Sequence, residues 1–368
     1  MVDKSKKISK FVNQKNKYYV MKNIFAQRLK NARIIKGWSQ DEMASKIGLT
    51  KQAISKYEKG LMMPNSSVLI ALSNIFDTSI DYFFRPLIVS INNIEFRKKA
   101  NTPKKNIETI KHVILDKLER YVEIESICDE NTTFNTNMSH IVVSSKDDVY
   151  RVAEELKKEW QLGEDGISNV IEILEEHQIK VIEVDGLEKL DGVSGRDNFN
   201  NPIIAININI TPERKRFSAL HELGHIVMNF DESISAKEKE ALCNTFANEM
   251  LISKEIFIQK IDANRKGITV YELQSIQAQY GISIDALMYK AKELNIISDN
   301  RYKNYWIKKN MSSEFKDDVE KSIYGNEKSN RFEFLVYKAL AKEMISISKA
   351  EYFLNIPQAN ISSQLNFI

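Results

Sequence analysis

Apolar positions recur at helical spacing along most of this chain, and the elements they predict are short helices separated by turn residues. From Asn23, the residues Ile24, Phe25, Leu29, Ala32 and Ile35 mark one face of a helix that Gly37 ends. Ser39 with Glu42 three residues on is a capping-box spacing, and Met43, Ala44 and Ile47 line a second helix that Gly48 stops. Thr50 can cap a third, KQAISKYEKG, in which Ala53, Ile54 and Tyr57 turn inward while Lys51, Gln52, Ser55 and Lys56 point away. Between residues 87 and 146 a short extended piece precedes a long amphipathic helix carrying Ile107, Ile110, Ile114, Leu118, Tyr121, Val122 and Ile124; His112 falls on its charged face and reads as surface. KDDVYRVAEELKKEW is a helix, about Ser168 to His177 another, and Lys180 to Val184 a strand. In PIIAININI, Ile204, Ile206, Ile208 and Ile210 alternate with Ala205, Asn207 and Asn209, which predicts a half-buried strand whose Asn face meets solvent or a groove.

At 368 residues the chain is too long for one ordinary core, so several domains are expected. The boundaries read as a basic tail (1–22), a module of short helices (23–86), a helical connector (87–146), a mixed helix-and-strand module (147–260) and a C-terminal helical domain (261–368). Six prolines and twelve glycines argue for a mostly α protein with short loops. No run approaches the roughly 18 apolar residues of a membrane span, and the N-terminus lacks the apolar stretch of a secretory signal. A cytoplasmic protein with no membrane partner is expected. Cys128 and Cys243 are too few for a disulfide framework or a thiolate zinc cluster and read as buried thiols.

The charge is uneven. Residues 1–60 hold thirteen Lys and two Arg against four carboxylates, a net +11, so the other 308 residues carry −8 within the total of +3. A basic module on an acidic remainder suits a polyanion partner, because a concentrated positive face displaces phosphate counterions. Two short helices joined by a Gly-containing turn, the second presenting amide, hydroxyl and cationic side chains, form a helix-turn-helix suited to the major groove of a double-stranded DNA operator. Gln52 can pair with adenine; Lys51 and Lys56 can reach guanine or phosphate; Thr50 and Ser55 complete that face. Gln40, in the first turn of the preceding helix, is placed for a phosphate.

The string RKRFSALHELGHIVMNF carries the chemistry. His221, Glu222 and His225 form H-E-x-x-H within a helical run, and residues four apart on a helix share a face about 5–6 Å apart. Two imidazoles there can grip one Zn²⁺, and Glu222 can act as general base toward its water. Small Gly224 allows a close neighbour. The composition gives chance about 1 in 200 of producing the motif. A third protein ligand is needed, and His112, His140 and His177 all lie upstream. The next helix, AKEKEALCNTFANEMLIS, offers Glu238, Glu240 and Glu249; Cys243, Phe246, Ala247 and Met250 define its inner face, with Glu240 beside it. The expected ligand is Glu240, with Asn244 orienting a ligand from behind, Glu249 facing away, and Cys243 in the core.

Two resemblances attach to these residues. RLKNARIIKGWSQDEMASKIGLTKQAISKYEKGLMMP with ALSNIFDTSIDYFF, over about 24–84, resembles the Xre, or Cro/repressor-like, family, which implies an N-terminal five-helix DNA-binding bundle. FRKK with its following helix, AEELKKEW, DGVSG, RKRFSALHELGH and Glu240-x-x-Cys243-Asn244-x-Phe246-Ala247 resemble the ImmA/IrrE zinc peptidases, especially those fused to an Xre domain. This second resemblance implies a small α+β zincin-like domain with an HEXXH metallopeptidase core of gluzincin type, using two His and a Glu on zinc. Gly166, Ser168 and Ile252-Ser253 stand where that family usually has prolines. The function implied is a DNA-binding transcriptional regulator whose zinc endopeptidase cleaves a protein substrate, a repressor or antitoxin. The alternative is a non-proteolytic regulator whose zinc domain is a sensor or scaffold. A homodimer is open, and the C-terminal helices read as a degenerate helix-turn-helix, a lid or a docking domain.

Overall fold

A computed structural model describes residues 2–92, 104–130, 133–136, 138–185, 187, 190–262 and 267–365, without the side chains of 2–17, 92, 104, 105 and 364. Phe96 to Lys99 of the FRKK string lie outside the described residues. The chain is mostly helical and falls into two compact units: the described residues through Ser90 with those from 104 to Glu119, and Ile91–Asn92 with those from Arg120 onward.

In the first unit, α1 (Val2–Ile35) starts well before the expected Asn23, so residues of the anticipated tail are helical. α2 (Gln40–Lys46) carries a complete capping box from Ser39 and Glu42, and Thr50 caps α3 (Lys51–Glu58) by accepting from the Ala53 amide. α4 (Ser66–Phe76) and a 3₁₀ turn (Ile80–Phe84) complete a five-helix bundle over Phe25, Leu29, Met43, Ile54, Leu72, Phe76 and Phe83. Gly37 and Gly48 end helices with φ of +70° and +66°, a region that costs side-chain-bearing residues strain. Buried Arg28 donates to the Arg85 and Pro86 carbonyls and pairs with Glu119. Arg33 forks onto Glu58, at 2.6 and 3.0 Å. His112, expected on the surface, is half-buried, and burial pushes its pKa below the ordinary value.

The second unit begins with β1 (Ile91–Asn92) and the later part of α5 (Lys104–Cys128). β2 (Val142–Val143), α6 (Lys146–Glu159) and α7 (Val170–Glu176) precede β3 (Lys180–Val184), β4 (Gly192–Asp197) and β5 (Pro202–Asn207). The sheet runs β1-β4-β5-β3, parallel between β3 and β5 and antiparallel elsewhere. β5 stops at Asn207, three residues before Ile210, and all six of its residues are buried. Asn207 is therefore buried, while Asn209, past the end of the strand, is exposed. Asn207 Nδ2 donates to the Leu187 and Leu190 carbonyls and its Oδ1 accepts from the Asn209 amide, so the side chain folds the turn that ends the strand.

α8 (Pro212–Val227), capped by Thr211, crosses this sheet; β6 (Asn229–Phe230) and α9 (Ala236–Leu251) follow. α10 (Lys254–Ile261), α11 (Val270–Tyr280) and α12 (Ile284–Glu293) pack next, then α13 (Asp299–Met311) and α14 (Ser313–Glu320). α15 (Arg331–Ala341), α16 (Ile347–Leu354) and α17 (Gln358–Gln364) close the chain. One apolar core runs from Met138 to Val319 and so passes through residue 260, where a boundary was expected. Among the described residues no helix is long and apolar enough to cross a membrane. Cys243 is buried as expected, whereas Cys128 is only half-buried.

The N-terminal half of α8 is fixed by buried charge. Arg216, fully buried, donates to the Gly281, Ile167 and Tyr280 carbonyls, pairs with the equally buried Glu327 at 2.8 Å, and lies 4.3 Å from the Tyr324 ring centroid. One turn earlier, Glu213 accepts from Gln277, Ser322, and the amides of Ile323 and Tyr324. Gly166 sits where an added Cβ would meet the Gln279 carbonyl oxygen at 2.1 Å, so the loop before α7 can lie against α11 only without a side chain. Glu327→Gln keeps the shape and leaves the Arg216 charge buried without its counter-ion. It is expected to cost about 3 kcal/mol or more, as breaking one partner of a buried pair does. Amide hydrogen exchange in α7 and α8 reads this directly, and parental protection in the variant would refute the anchoring role.

Candidate metal centre

His221 and His225 lie one turn apart on α8, and their Nε2 atoms approach to 3.2 Å. Glu240, in the second turn of α9, faces the same point, with Oε2 3.2 Å from His221 Nε2 and Oε1 3.6 Å from His225 Nε2. Ligand atoms of the three residues lie within 4.8 Å of one another, and among the described residues this is the group able to hold a metal ion. Two imidazoles and a carboxylate converge at one point between α8 and α9. That donor set suits a divalent cation with nitrogen and oxygen preference.

The other ring nitrogens face α9. His221 Nδ1 is 2.9 Å from Asn244 Oδ1, and His225 Nδ1 is 2.9 Å from Cys243 Sγ. α9 can lie this close because α8 has Gly224 at the crossing: a Cβ there would stand 3.0 Å from Met228 Cε, 3.1 Å from Phe246 Cδ1 and 3.4 Å from Cys243 Sγ. Glu249, about two and a half turns along α9 from Glu240, is buried elsewhere, accepting from Lys290 at 2.8 Å and from the Lys254 amide.

Glu222, a rotation of about 100° from His221, reaches β4. Ser194 Oγ donates to its Oε2 at 2.5 Å, and Gly192 on the same strand lets the β4 backbone lie against it, an added Cβ there falling 3.3 Å from Glu222 Cγ. Ser194 belongs to none of the motifs that carry the candidate chemistry in the sequence. Its signal was the DGVSG string, which places a small residue and a hydroxyl two apart on one strand face. Cys243 was assigned to the core; it is fully buried, and it also touches a histidine of the cluster.

In the first unit, Lys51, Gln52 and Lys56 are exposed on α3, Ser55 is half-buried, and Thr50 is spent on the cap. Lys51 pairs with Asp41 across the exposed surface. Gln40 stands apart from this group: its Nε2 donates to Glu58 Oε2 at 2.8 Å, beside the Arg33 fork.

Residues 29–83 match the family described as helix-turn-helix, and residues 174–292 match the family described as IrrE N-terminal-like domain. Among curated proteins the chain is similar to the SPbeta prophage-derived uncharacterized HTH-type transcriptional regulator YonR of Bacillus subtilis, 42% identical over 62 residues, which is 17% of this chain and 57% of that protein. It is similar also to the HTH-type transcriptional regulator ImmR of the same organism, 36% identical over 67 residues, 18% and 53% of the two chains. A putative HTH-type transcriptional regulatory protein of Pyrococcus abyssi aligns at 27% identity over 118 residues, 32% of this chain and 34% of that one. The chain thus spans between a third and somewhat over half the length of these relatives. It carries an Xre-like helix-turn-helix domain in its N-terminal part and an IrrE/ImmA-like domain of a metallopeptidase family farther along.

Proposed function

We propose that this protein is a DNA-binding transcriptional regulator whose second unit is a zinc-dependent endopeptidase acting on a protein, a repressor or antitoxin, to change transcription. The observation that carries the reading is the convergence of His221, His225 and Glu240, with Glu222 next to His221 on α8 and its carboxylate held by Ser194. Zinc held by the two imidazoles and the Glu240 carboxylate would polarise a scissile carbonyl and acidify a coordinated water. Glu222 takes the proton of the attacking water and returns it to the departing amine. Ser194 holds one Glu222 oxygen in place for that exchange, and Asn244 keeps the His221 proton on Nδ1, leaving Nε2 as the donor nitrogen.

The other half of the reading rests on α3. Its exposed Gln52 and Lys56, with Lys51, Ser55 and the Thr50 cap, form the face that enters the major groove of an operator. The similarity to proteins named as HTH-type transcriptional regulators supports this assignment.

Three outcomes follow from these roles. The full chain binds about one zinc, and either His221→Ala or His225→Ala abolishes it; Glu240→Gln weakens zinc more than Glu249→Gln, as measured by chelator competition, and the reverse order would move the third ligand. Gln52→Ala costs roughly 1–3 kcal/mol on the cognate operator and little on random DNA, whereas Lys56→Ala weakens both alike. Equal losses on both DNAs for the Gln52 variant would refute base reading. Glu222→Gln retains fold, zinc and DNA binding but slows proteolysis by about 10² to 10⁴, and a reporter under the protein's own operator stays repressed. Should that strain regulate like the parent, the zinc domain is a sensor or scaffold and proteolysis is not its output.

A further inference from the structure

Each histidine of the cluster presents Nε2 to the point where Glu240 also arrives, since the two Nε2 atoms are 3.2 Å apart and lie 3.2 and 3.6 Å from the Glu240 oxygens. A neutral imidazole that offers a lone pair at Nε2 carries its proton on Nδ1, and that N–H needs an acceptor once it is buried. For His221 the acceptor is the amide oxygen of Asn244. For His225, whose side chain is only 6% exposed, the atom at Nδ1 is Cys243 Sγ, at 2.9 Å. Cys243 is fully buried, and its sulfur lies 3.4 Å from where a Cβ on Gly224 would stand.

We propose that Cys243 is a positioning residue of the metal centre: its sulfur accepts the His225 Nδ1–H, and so fixes the ring with Nε2 toward the ion. The inference rests on the metal reading above and deepens it. Consecutive residues of α9 thereby serve both imidazoles, Asn244 with an oxygen and Cys243 with a sulfur. Sulfur is a weak acceptor, so the thiol holds the ring by contact as well as by hydrogen bonding. A thiol that only filled the core would have no reason to face a ring nitrogen; Phe246, Ala247 and Met250 supply that apolar surface already.

Zinc affinity of the full chain, measured by competition with a chromophoric chelator, separates these roles. Cys243→Val fills the volume without an acceptor, Cys243→Ala removes both, and Cys243→Ser restores an acceptor in a smaller side chain. The Val and Ala variants are expected to bind zinc about 10- to 100-fold more weakly, with the Ser variant recovering most of the loss. The visible absorption of the cobalt(II)-loaded protein should shift in Val and Ala and resemble the parent in Ser, while the metal-free thermal midpoint of Val stays near parental. Parental zinc affinity in Val and Ala, or a loss in Ser as large as in Val, overturns the positioning role and leaves the metal centre intact. Absence of zinc binding by the parent chain would overturn the metal reading itself and this inference with it. If Val does not fold, the Ala and Ser pair decides.

Discussion

The close approach of α8 and α9 at Gly224 is the constraint on which the centre depends. A metal site made from two helices needs side chains of ordinary length to meet, and every Cβ at the crossing pushes the helix axes apart. With hydrogen at position 224, the Phe246 ring and the Cys243 sulfur settle directly on the α8 backbone. Glu240, Cys243 and Asn244, at i, i+3 and i+4 of α9, then share one face and come up beneath His221 and His225. A larger residue at 224 would have to displace a fully buried aromatic ring, and interiors packed at crystal density yield little.

Position along α8 divides the work. Its first two turns carry Glu213 and Arg216, which are engaged by α11, the turn at Gly281 and the segment Ser322 to Glu327. Its last two turns carry the site. Burying a guanidinium and its carboxylate gains little net stability, because desolvation offsets most of the attraction, but several directed partners on one side chain fix the rotation and height of the helix. Gly281 accommodates this in two ways: its φ is +59°, and any Cβ would strike Arg216 Nε at 2.5 Å. The helices beyond residue 260 are thereby tied to the orientation of the histidines.

Local patterns carried much of the fold into view. Caps at Ser39 and Thr50, the strand Lys180–Val184 and the inner face of α9 are set by residues within a turn or two of one another, and such signals are readable in the chain itself. The HEXXH spacing is equally local, and so is the i, i+4 relation of Glu240 to Asn244. What stayed hidden was decided at long range. The alternation predicts Asn207 on a face toward solvent or a groove, whereas the carbonyls of Leu187 and Leu190 take up its amide. Nothing local in RKRF marks Arg216 for burial, which Glu327, 111 residues away, and the carbonyls of Ile167, Tyr280 and Gly281 make possible. The contact between Ser194 and Glu222 spans 28 residues and depends on the sheet register.

Both candidate interfaces follow one rule about polar side chains: those that face an external partner are supported by neighbours whose own hydrogen bonding is internal. On the helix-turn-helix, Glu58 ties Arg33 and Gln40 together beneath α3, which stiffens the element and leaves Gln52 and Lys56 on its exposed side. In the metal centre, Asn244 and Cys243 engage the Nδ1 atoms and Ser194 engages Glu222, so the Nε2 atoms and the Glu240 carboxylate share a common focus. Rigid support of this kind raises affinity mainly by removing the freedom a side chain would otherwise lose on binding. It also explains why the supporting residues were the harder ones to find: a supporting residue is recognised by what it touches, and touching is a property of the folded chain.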